Sequence, residues 1–538
     1  MIAVIATLFK LYLISGQTFS PEYKNIHDQV LYVHLANEII KGQWMGPYGQ
    51  LTLYKPPFYP LWIAFIHLMH FPLMLANQLL YLSACAVFVK AIKPLVNSRT
   101  GLTLVYIFLI FNPYSYSRHY MLDIRCENIY SSLTIMVVSL GLGLWVRVIR
   151  RDTTVPLWSF GLGVALAAFW LTRPENVWIL PFFIILIIAS FLMMKMKPRT
   201  LIIPIILPLI ICSLLSAAVA LTNLVNYGIF TTCDYTTKEF SAAYGAMLRV
   251  KQEKFNVHTP LPTKTRLKIA EFSPSLKEVE PYLEKIDIQG TYSYDPRNSF
   301  LGSLIVPVFR MAVSWAGYYD SYKSSAGFYR KLSLEINDAC SSAKLECDAP
   351  RQSIFPAWQS NYTKSFIQNL EWEALNIIEF NNLDPWPHIA VPPSGGLRSY
   401  LKVTGAKFIF SHRRGLTLKK ISLDDVKKIS ILDRIGHYWQ QIIIPLSLLA
   451  GGAYVIMLWT SVRRGKYTTE LIIASAILTA LITRVAFVAY LDTMLWPMPR
   501  MLSCAFPLLL MFISFVLLNT IIMISSFKFH RYDQTKIK

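Results

Sequence analysis

What most constrains this chain is a series of apolar runs, each near twenty residues, recurring from one end to the other. About 20 consecutive apolar residues in a helix cross the ~30 Å hydrocarbon core of a bilayer. Lipid offers no partner to a backbone N–H or C=O, so such runs are read as helices that satisfy their own backbone. Composition agrees. Of 538 residues, 54% are apolar and 15% are charged, against about 25% charged in soluble proteins. Mean hydropathy is +0.41. A soluble enzyme, a disordered scaffold, a coiled coil and a disulfide-dense secreted module are excluded. The chain is read as a polytopic α-helical membrane protein.

The net charge is +21. That excess would also suit a nucleic-acid partner, so the placement of the cations decides. Residues 222–436 carry 27 Lys and Arg against 21 Asp and Glu, and the rest of the chain carries 25 against 10. Outside that segment the cations gather in short loops between apolar runs. The clusters are Lys90, Lys93 and Arg99; Arg147, Arg150 and Arg151; Lys195, Lys197 and Arg199; Arg463, Arg464 and Lys466; and a tail with Lys528, Arg531, Lys536 and Lys538. This is the pattern of membrane orientation, not of nucleic-acid binding.

Ten spans are expected, at 2–16, 75–92, 101–111, 129–146, 156–172, 177–194, 201–221, 438–459, 471–490 and 501–527. That count puts all five basic clusters on one side, which the positive-inside rule makes the cytoplasm, with both termini there. The run 58–71 is short and bounded by prolines. It is read as interfacial or re-entrant, because an extra crossing would break the parity. The first run has no basic leader and carries Lys10, so it is read as a span and not as a cleaved signal.

Three domains follow: an N-terminal membrane domain (1–221) with two outer loops (17–57 and 112–128), an extracytoplasmic soluble domain (222–436), and a C-terminal membrane domain (437–538). No Walker A sequence is present, so chemistry driven by a cytoplasmic nucleotide is not expected. The soluble domain is read as α+β. Helical spacing covers 263–270, 327–340 and 364–379, and a hairpin is expected at 406–420, turning at Arg414-Gly415. Cys340 and Cys347 lie on the oxidising side, which favours a local disulfide over free thiols. A zinc site there would need two more ligands at suitable spacing. His27, His34, His70 and His119 show no metal spacing and are read as structural or interfacial. Asn361 opens a glycosylation sequon, meaningful only in a eukaryotic host. No inverted repeat is found.

The residues able to do chemistry gather at the outer ends of the spans. Asp28 follows the first run, and Tyr32, Leu35, Ala36 and Ile39 follow it at helical spacing. Asp28 therefore caps or opens a helix along the membrane surface. Gly42, an irregular loop and Lys55-Pro56-Pro57 come next. On spacing alone, Asp28 reads equally as an N-cap and Lys55 as a snorkelling anchor. In the second loop Arg118, His119, Asp123, Arg125 and Glu127 crowd a membrane boundary, either as a charge belt or as a functional group. Arg173 and Glu175 flank Pro174, as a local ion pair or as part of a site. Arg484 stands inside an apolar run, where an Arg commonly faces a cavity or an anion. Arg500 opens the last run and reads as a snorkelling cation or as a phosphate ligand.

An Asp just after the first span, a Tyr four residues on, a short amphipathic helix to a Gly, then Lys-Pro-Pro: this resembles the first extracytoplasmic loop of the GT-C glycosyltransferases. It is similar to that loop in the lipid A aminoarabinose transferases and, more loosely, in the protein O-mannosyltransferases. The resemblance implies an enzyme of the bacterial inner membrane that takes a sugar from a polyprenyl phosphate and passes it to an acceptor outside the cytoplasm. That acceptor would be a glycolipid, a polysaccharide or a protein. The resemblance also implies that Asp28 is the catalytic acidic residue, that Lys55 meets the donor phosphate, and that Glu127, or next Asp123, is the second acidic group. Residues 171–175 (LTRPE) resemble a motif at the outer end of a GT-C helix, which includes Arg173 and Glu175. Arg125 is a further candidate. Arg500 resembles the Arg of an Arg-Tyr-x-x-Pro element, with Met501 in place of Tyr.

Many members carry a second acidic residue beside the Asp. Here the neighbours are His27 and Gln29, so no paired-carboxylate metal site is expected there. The cofactor is left unassigned, with a divalent metal open on the chemistry but not indicated by ligand spacing. Transfer from such a donor needs a base for the acceptor hydroxyl and cations for the leaving phosphate. Lys55, Arg484 and Arg500 are the expected cations. The alternative is a non-enzymatic transporter or flippase of a lipid-linked glycan. That class is expected to pair its halves around helices broken near the midplane, whereas the charges here gather at the surface.

The topology makes a direct prediction. A reporter fused after Lys538 should report the cytoplasm, and one inserted near Ser341 the outside. The reverse at either position contradicts the ten-span arrangement.

Overall fold

The computed structural model describes residues 1–17, 19, 26–192, 198–253, 259–288, 305–381, 383–385, 403, 422–495 and 498–536. Among them the chain is all-helical, with 18 α-helices and, in place of a sheet, one isolated antiparallel bridge between Val250 and Cys347. In chain order the helices of the first part are α1 (Ile2–Ile14), α2 (Ile26–Ile40), α3 (Phe58–Leu68), α4 (Leu73–Ile92), α5 (Arg99–Ile110), α6 (Glu127–Arg150), α7 (Val155–Trp170), α8 (Leu180–Leu192) and α9 (Pro198–Tyr227). Then come α10 (Lys238–Leu248), α11 (Thr263–Ala270), α12 (Pro274–Ile288), α13 (Ile305–Trp315), α14 (Tyr322–Ser341) and α15 (Tyr362–Glu379). The last three are α16 (Leu423–Arg464), α17 (Thr469–Met494) and α18 (Ala505–Lys536).

Among the described residues six segments are long and apolar enough to cross a membrane: Leu73–Leu95, Glu127–Arg150, Ile202–Tyr227, Leu423–Arg464, Thr469–Met494 and Arg500–Ser525. The protein is therefore an integral membrane protein by the length and composition of these helices. The other four expected spans correspond to shorter apolar helices, Ile2–Ile14, Arg99–Ile110, Val155–Trp170 and Asn176–Leu192. At 1.5 Å per residue the 13 residues of α1 reach only ~20 Å. Local chemistry stops them. α5 ends at Phe111, where the Asn112 side chain accepts from the Ser115 N–H and Pro113 opens a 3₁₀ turn. α7 ends just before Arg173-Pro174. Because these helices end early, residues 112–126 sink among the helices: Asn112, Ser115, Asp123 and Arg125 are all buried.

α6 and the last apolar segment form the centre, with 83% and 89% of their apolar windows buried. The segments 202–227 and 423–464 are only 11% and 17% buried and present their apolar sides outward. A helix apolar all round is either packed inside protein or turned to lipid, and both cases occur here. α6 packs closely on α7. Trp158 lies so near Gly143 that an added Cβ would come 2.0 Å from its ring. The Arg147 guanidinium covers the same indole at 3.7 Å. α16 has 42 residues, or ~63 Å of helix, so it extends well beyond one apolar layer. Its polar first turns are tied to the end of α1: Lys428 pairs with Asp424 at 2.7 Å and lies 4.5 Å over the Tyr12 ring.

Among the described residues of 222–436 no strand is found, so the α+β expectation is not met there. Helices α10 to α14 enclose a core of their own, including Phe240, Leu283, Phe309, Leu332 and Ile336. On α13 the buried residues Ile305, Val308, Phe309, Ala312 and Val313 follow helical spacing. The strand reading rested on the hairpin at 406–420, which lies outside the described residues, while the apolar period elsewhere in the segment is helical. Cys340 and Cys347 are bonded, with Cα atoms 5.7 Å apart, and close the turn after α14. The later part of the segment packs with the membrane helices: Ile377, Phe380 and Leu383 share a core with Trp439 and Phe506.

The disulfide yields a testable outcome. Cys340 and Cys347 should react with a thiol reagent only after reduction. Replacing both with Ser should cost about 2 kcal/mol of the stability of this helical unit, given the short loop closed. Thiol labelling and thermal melting of the purified protein check the two parts.

Candidate functional site

A cavity of about 800 Å³ opens where the loop 49–56, the segment 172–175, the end of α17 and the 222–436 segment meet. One wall is charged, with Asp28, Lys55, Arg173, Glu175 and Arg500. The lining is otherwise largely apolar and includes Val306, Pro307, Met311, Phe355 and Leu495. The cavity is thus amphipathic and large enough for a small-molecule ligand.

Asp28 stands in the first turn of α2, where the helix dipole favours a carboxylate. Lys55 Nζ lies 3.6 Å from its Oδ1, and Arg500 Nη2 lies 3.4 Å from its Oδ2. All three side chains keep about a quarter of their surface exposed, at 25%, 25% and 27%. Both pairs are looser than a tight charge-assisted hydrogen bond of about 2.8 Å. Burial pushes the Asp28 carboxyl up, but Lys55 and then Arg500 outweigh it and hold the group well below the usual carboxylate range. Burial likewise pulls the Lys55 ammonium down, and Asp28 then Tyr54 reverse that into a net rise. The site thus holds a fixed anion between two fixed cations at neutral pH.

Glu127 opens α6 directly behind this group and is buried. It pairs with Arg173, and Arg500 Nε lies 3.5 Å from its Oε1. Arg173 also reaches Glu175 at 2.5 Å. A chain of alternating charge therefore runs Lys55, Asp28, Arg500, Glu127, Arg173, Glu175. Asp123 and Arg125 lie deeper. They pair at 3.0 Å, and Asp123 also accepts from Gln29. Neither lines the cavity. Arg484 is placed differently from a phosphate ligand. It is fully buried, donates from Nε to the Met501 carbonyl at 3.1 Å, and lies 5.1 Å from the Trp178 ring. It fixes the turn that carries Arg500 and does not line the cavity.

Two buried pairs escaped the sequence reading. Arg310 of α13 meets Asp234 at 2.9 Å, both almost wholly buried. Glu373 of α15 and Asp492 of α17 are both buried and near enough for the Asp492 charge to act on Glu373, whose carboxylate oxygens find no hydrogen-bond partner among the described residues. Asp492 carried a signal, as a lone carboxylate closing an apolar run. Glu373 had none, because α15 reads as an ordinary solvated amphipathic helix. Among the described residues no cluster of three or more His, Cys, Asp or Glu is arranged to hold a metal ion.

Chemically, the site offers a deprotonated carboxylate able to accept a proton, cations able to bind a phosphate, and an apolar wall beside them. Comparisons with protein families, with curated proteins and with solved structures find no match.

The carboxyl pair predicts a pH dependence of stability. Burial, then Asp492, push Glu373 upward. The folded protein keeps a proton that the unfolded carboxyl, with a pKa of about 4.3, has lost. Stability should therefore fall as pH rises through the neutral range. Glu373→Gln should flatten that slope in melting curves taken from pH 5 to 9. Asp28 has the opposite sign. Its contribution is present at neutral pH and fades only as pH falls below the usual carboxylate range.

Proposed function

We propose that this chain is an integral-membrane glycosyltransferase of the GT-C type, which moves a sugar from a polyprenyl-phosphate donor to an acceptor on the extracytoplasmic face. The observation that carries the reading is Asp28, held between Lys55 and Arg500 on the charged wall of an amphipathic cavity. In this reading the membrane is the bacterial inner membrane, crossed ten times with the short apolar helices included.

In the reaction, Asp28 accepts the proton of the acceptor hydroxyl. The hydroxyl oxygen forms a bond to the anomeric carbon, and the bond from that carbon to the phosphate oxygen breaks. The electron pair leaves with the polyprenyl phosphate, whose charge Lys55 and Arg500 stabilise. The loose 3.4 and 3.6 Å pairs bear on this directly. A donor phosphate competes with Asp28 for both cations. As they turn to phosphate, the carboxylate loses the partners that depress its basicity and becomes a better base. Glu127 keeps Arg500 in place from behind, with Arg173 as its tight partner.

Exchange of one carboxylate for its amide tests this. Asp28→Asn retains size and helix-capping ability but cannot take the proton. It should insert and accumulate normally and lose about 10²–10⁴-fold in transfer rate from a polyprenyl-phosphate sugar. Lys55→Ala should weaken donor binding instead. Near-normal transfer by Asp28→Asn contradicts the assignment. Movement of an unaltered lipid-linked glycan, with no transfer, would favour a flippase.

A further inference from the structure

We infer that Arg310, a residue outside the cavity, is the positioning residue that holds the Lys55 loop in its binding geometry, so that the 222–436 segment governs donor affinity. The inference rests on the reading of Lys55 as the phosphate ligand. It is carried by a clasp that joins this segment to the first loop at three successive points. Arg310 donates from Nε and Nη2 to the Gln50 carbonyl, at 3.0 and 2.6 Å. The Asp234 N–H donates to the Leu53 carbonyl at 2.9 Å. The Cys233 thiol donates to the Tyr54 carbonyl at 3.4 Å. Ser314, one turn along α13 from Arg310, adds a side-chain hydrogen bond to Gln50 at 3.1 Å. The loop 50–54 is irregular, so its carbonyls have few partners of their own, and the opposing segment supplies them.

Arg310 is built to do this and little else. It is 1% exposed, and its charge is met by Asp234 at 2.9 Å. Its guanidinium lies 5.4 Å from the Tyr54 ring, 5.3 Å from Tyr319 and 5.6 Å from Phe240. On the cavity side, Lys55 Nζ lies 5.0 Å from that same Tyr54 ring. Tyr54 is thus held between a structural cation and the proposed ligand cation. The fork of Arg310 satisfies Asp234 and Gln50 together, which a single ammonium cannot reproduce. Arg310 itself does not line the cavity. Met311, its neighbour on α13, does line the cavity, so exchange measured over the loop itself separates an effect that passes through the loop from one that passes through the helix.

Removing Arg310 alone would strand Asp234 as a buried charge and risk misfolding. Two variants avoid this. Arg310→Lys keeps the charge and loses the fork. The double variant Arg310→Met with Asp234→Asn removes both charges and keeps the volume. The full-length protein is purified in detergent and titrated with farnesyl phosphate, and hydrogen exchange is followed over residues 47–55. Lys55→Ala serves as the reference. The inference expects faster exchange in the loop and about tenfold weaker binding in both variants, as loss of a supporting partner commonly produces, with cooperative melting retained. It is overturned if loop exchange is unchanged, or if Lys55→Ala weakens binding while the Arg310 variants do not. If Lys55→Ala itself binds farnesyl phosphate normally, the phosphate reading of Lys55 fails, and this inference falls with it.

Discussion

One arrangement organises the rest of the structure: a carboxylate kept ionised between two cations at the edge of an apolar layer. Asp28, Lys55 and Arg500 come from opposite ends of the chain, and none of them could be held charged near lipid alone. Burial disfavours each charge, and mutual attraction offsets it. Extending the row through Glu127, Arg173 and Glu175 alternates the sign at each step. The row is therefore close to neutral as a whole, while Lys55 and Arg500 each meet Asp28 only loosely. Such a row can persist beside apolar surroundings, and in the proposed reading it yields to a phosphate.

The helices serve that row by their lengths. α1, α5 and α7 are shorter than the ~20 residues of a full-length span, and where they stop, polar loops descend between the longer helices. Arg484 shows the same logic from within. An intramembrane Arg suggests an anion, but here the guanidinium satisfies a backbone carbonyl at Met501 and lies against the Trp178 ring. It works on the site through the neighbouring turn that presents Arg500. The helical unit of 222–436 contributes apolar lining to the cavity through Val306, Pro307 and Met311.

Much of this was legible in the sequence. Run length and hydropathy identify the long helices. The Lys-Pro-Pro element and the Asp after the first run identify two residues that do come to lie 3.6 Å apart. Arg500 was legible as a cation opening a run. What the sequence hides is pairing over distance. Nothing local tells that Arg500 meets Asp28, 472 positions away, or that Arg310 reaches back to Gln50. The α+β reading of the 222–436 segment rests on the hairpin at 406–420, which lies outside the described residues, whereas the buried positions of α10 to α14 repeat with helical spacing. For Arg484 the cost in lipid is evident from sequence, while the Met501 carbonyl that relieves part of it is not.

The central claim is that Lys55 and Arg500 release Asp28 to hold a lipid phosphate. A structure of the protein with bound polyprenyl phosphate tests it most directly. The account predicts the phosphate within hydrogen-bond distance of both the Lys55 ammonium and the Arg500 guanidinium, with Asp28 turned toward the open cavity and the lipid tail along the apolar wall. A phosphate bound elsewhere, with the Lys55–Asp28–Arg500 group still closed on itself, would contradict it.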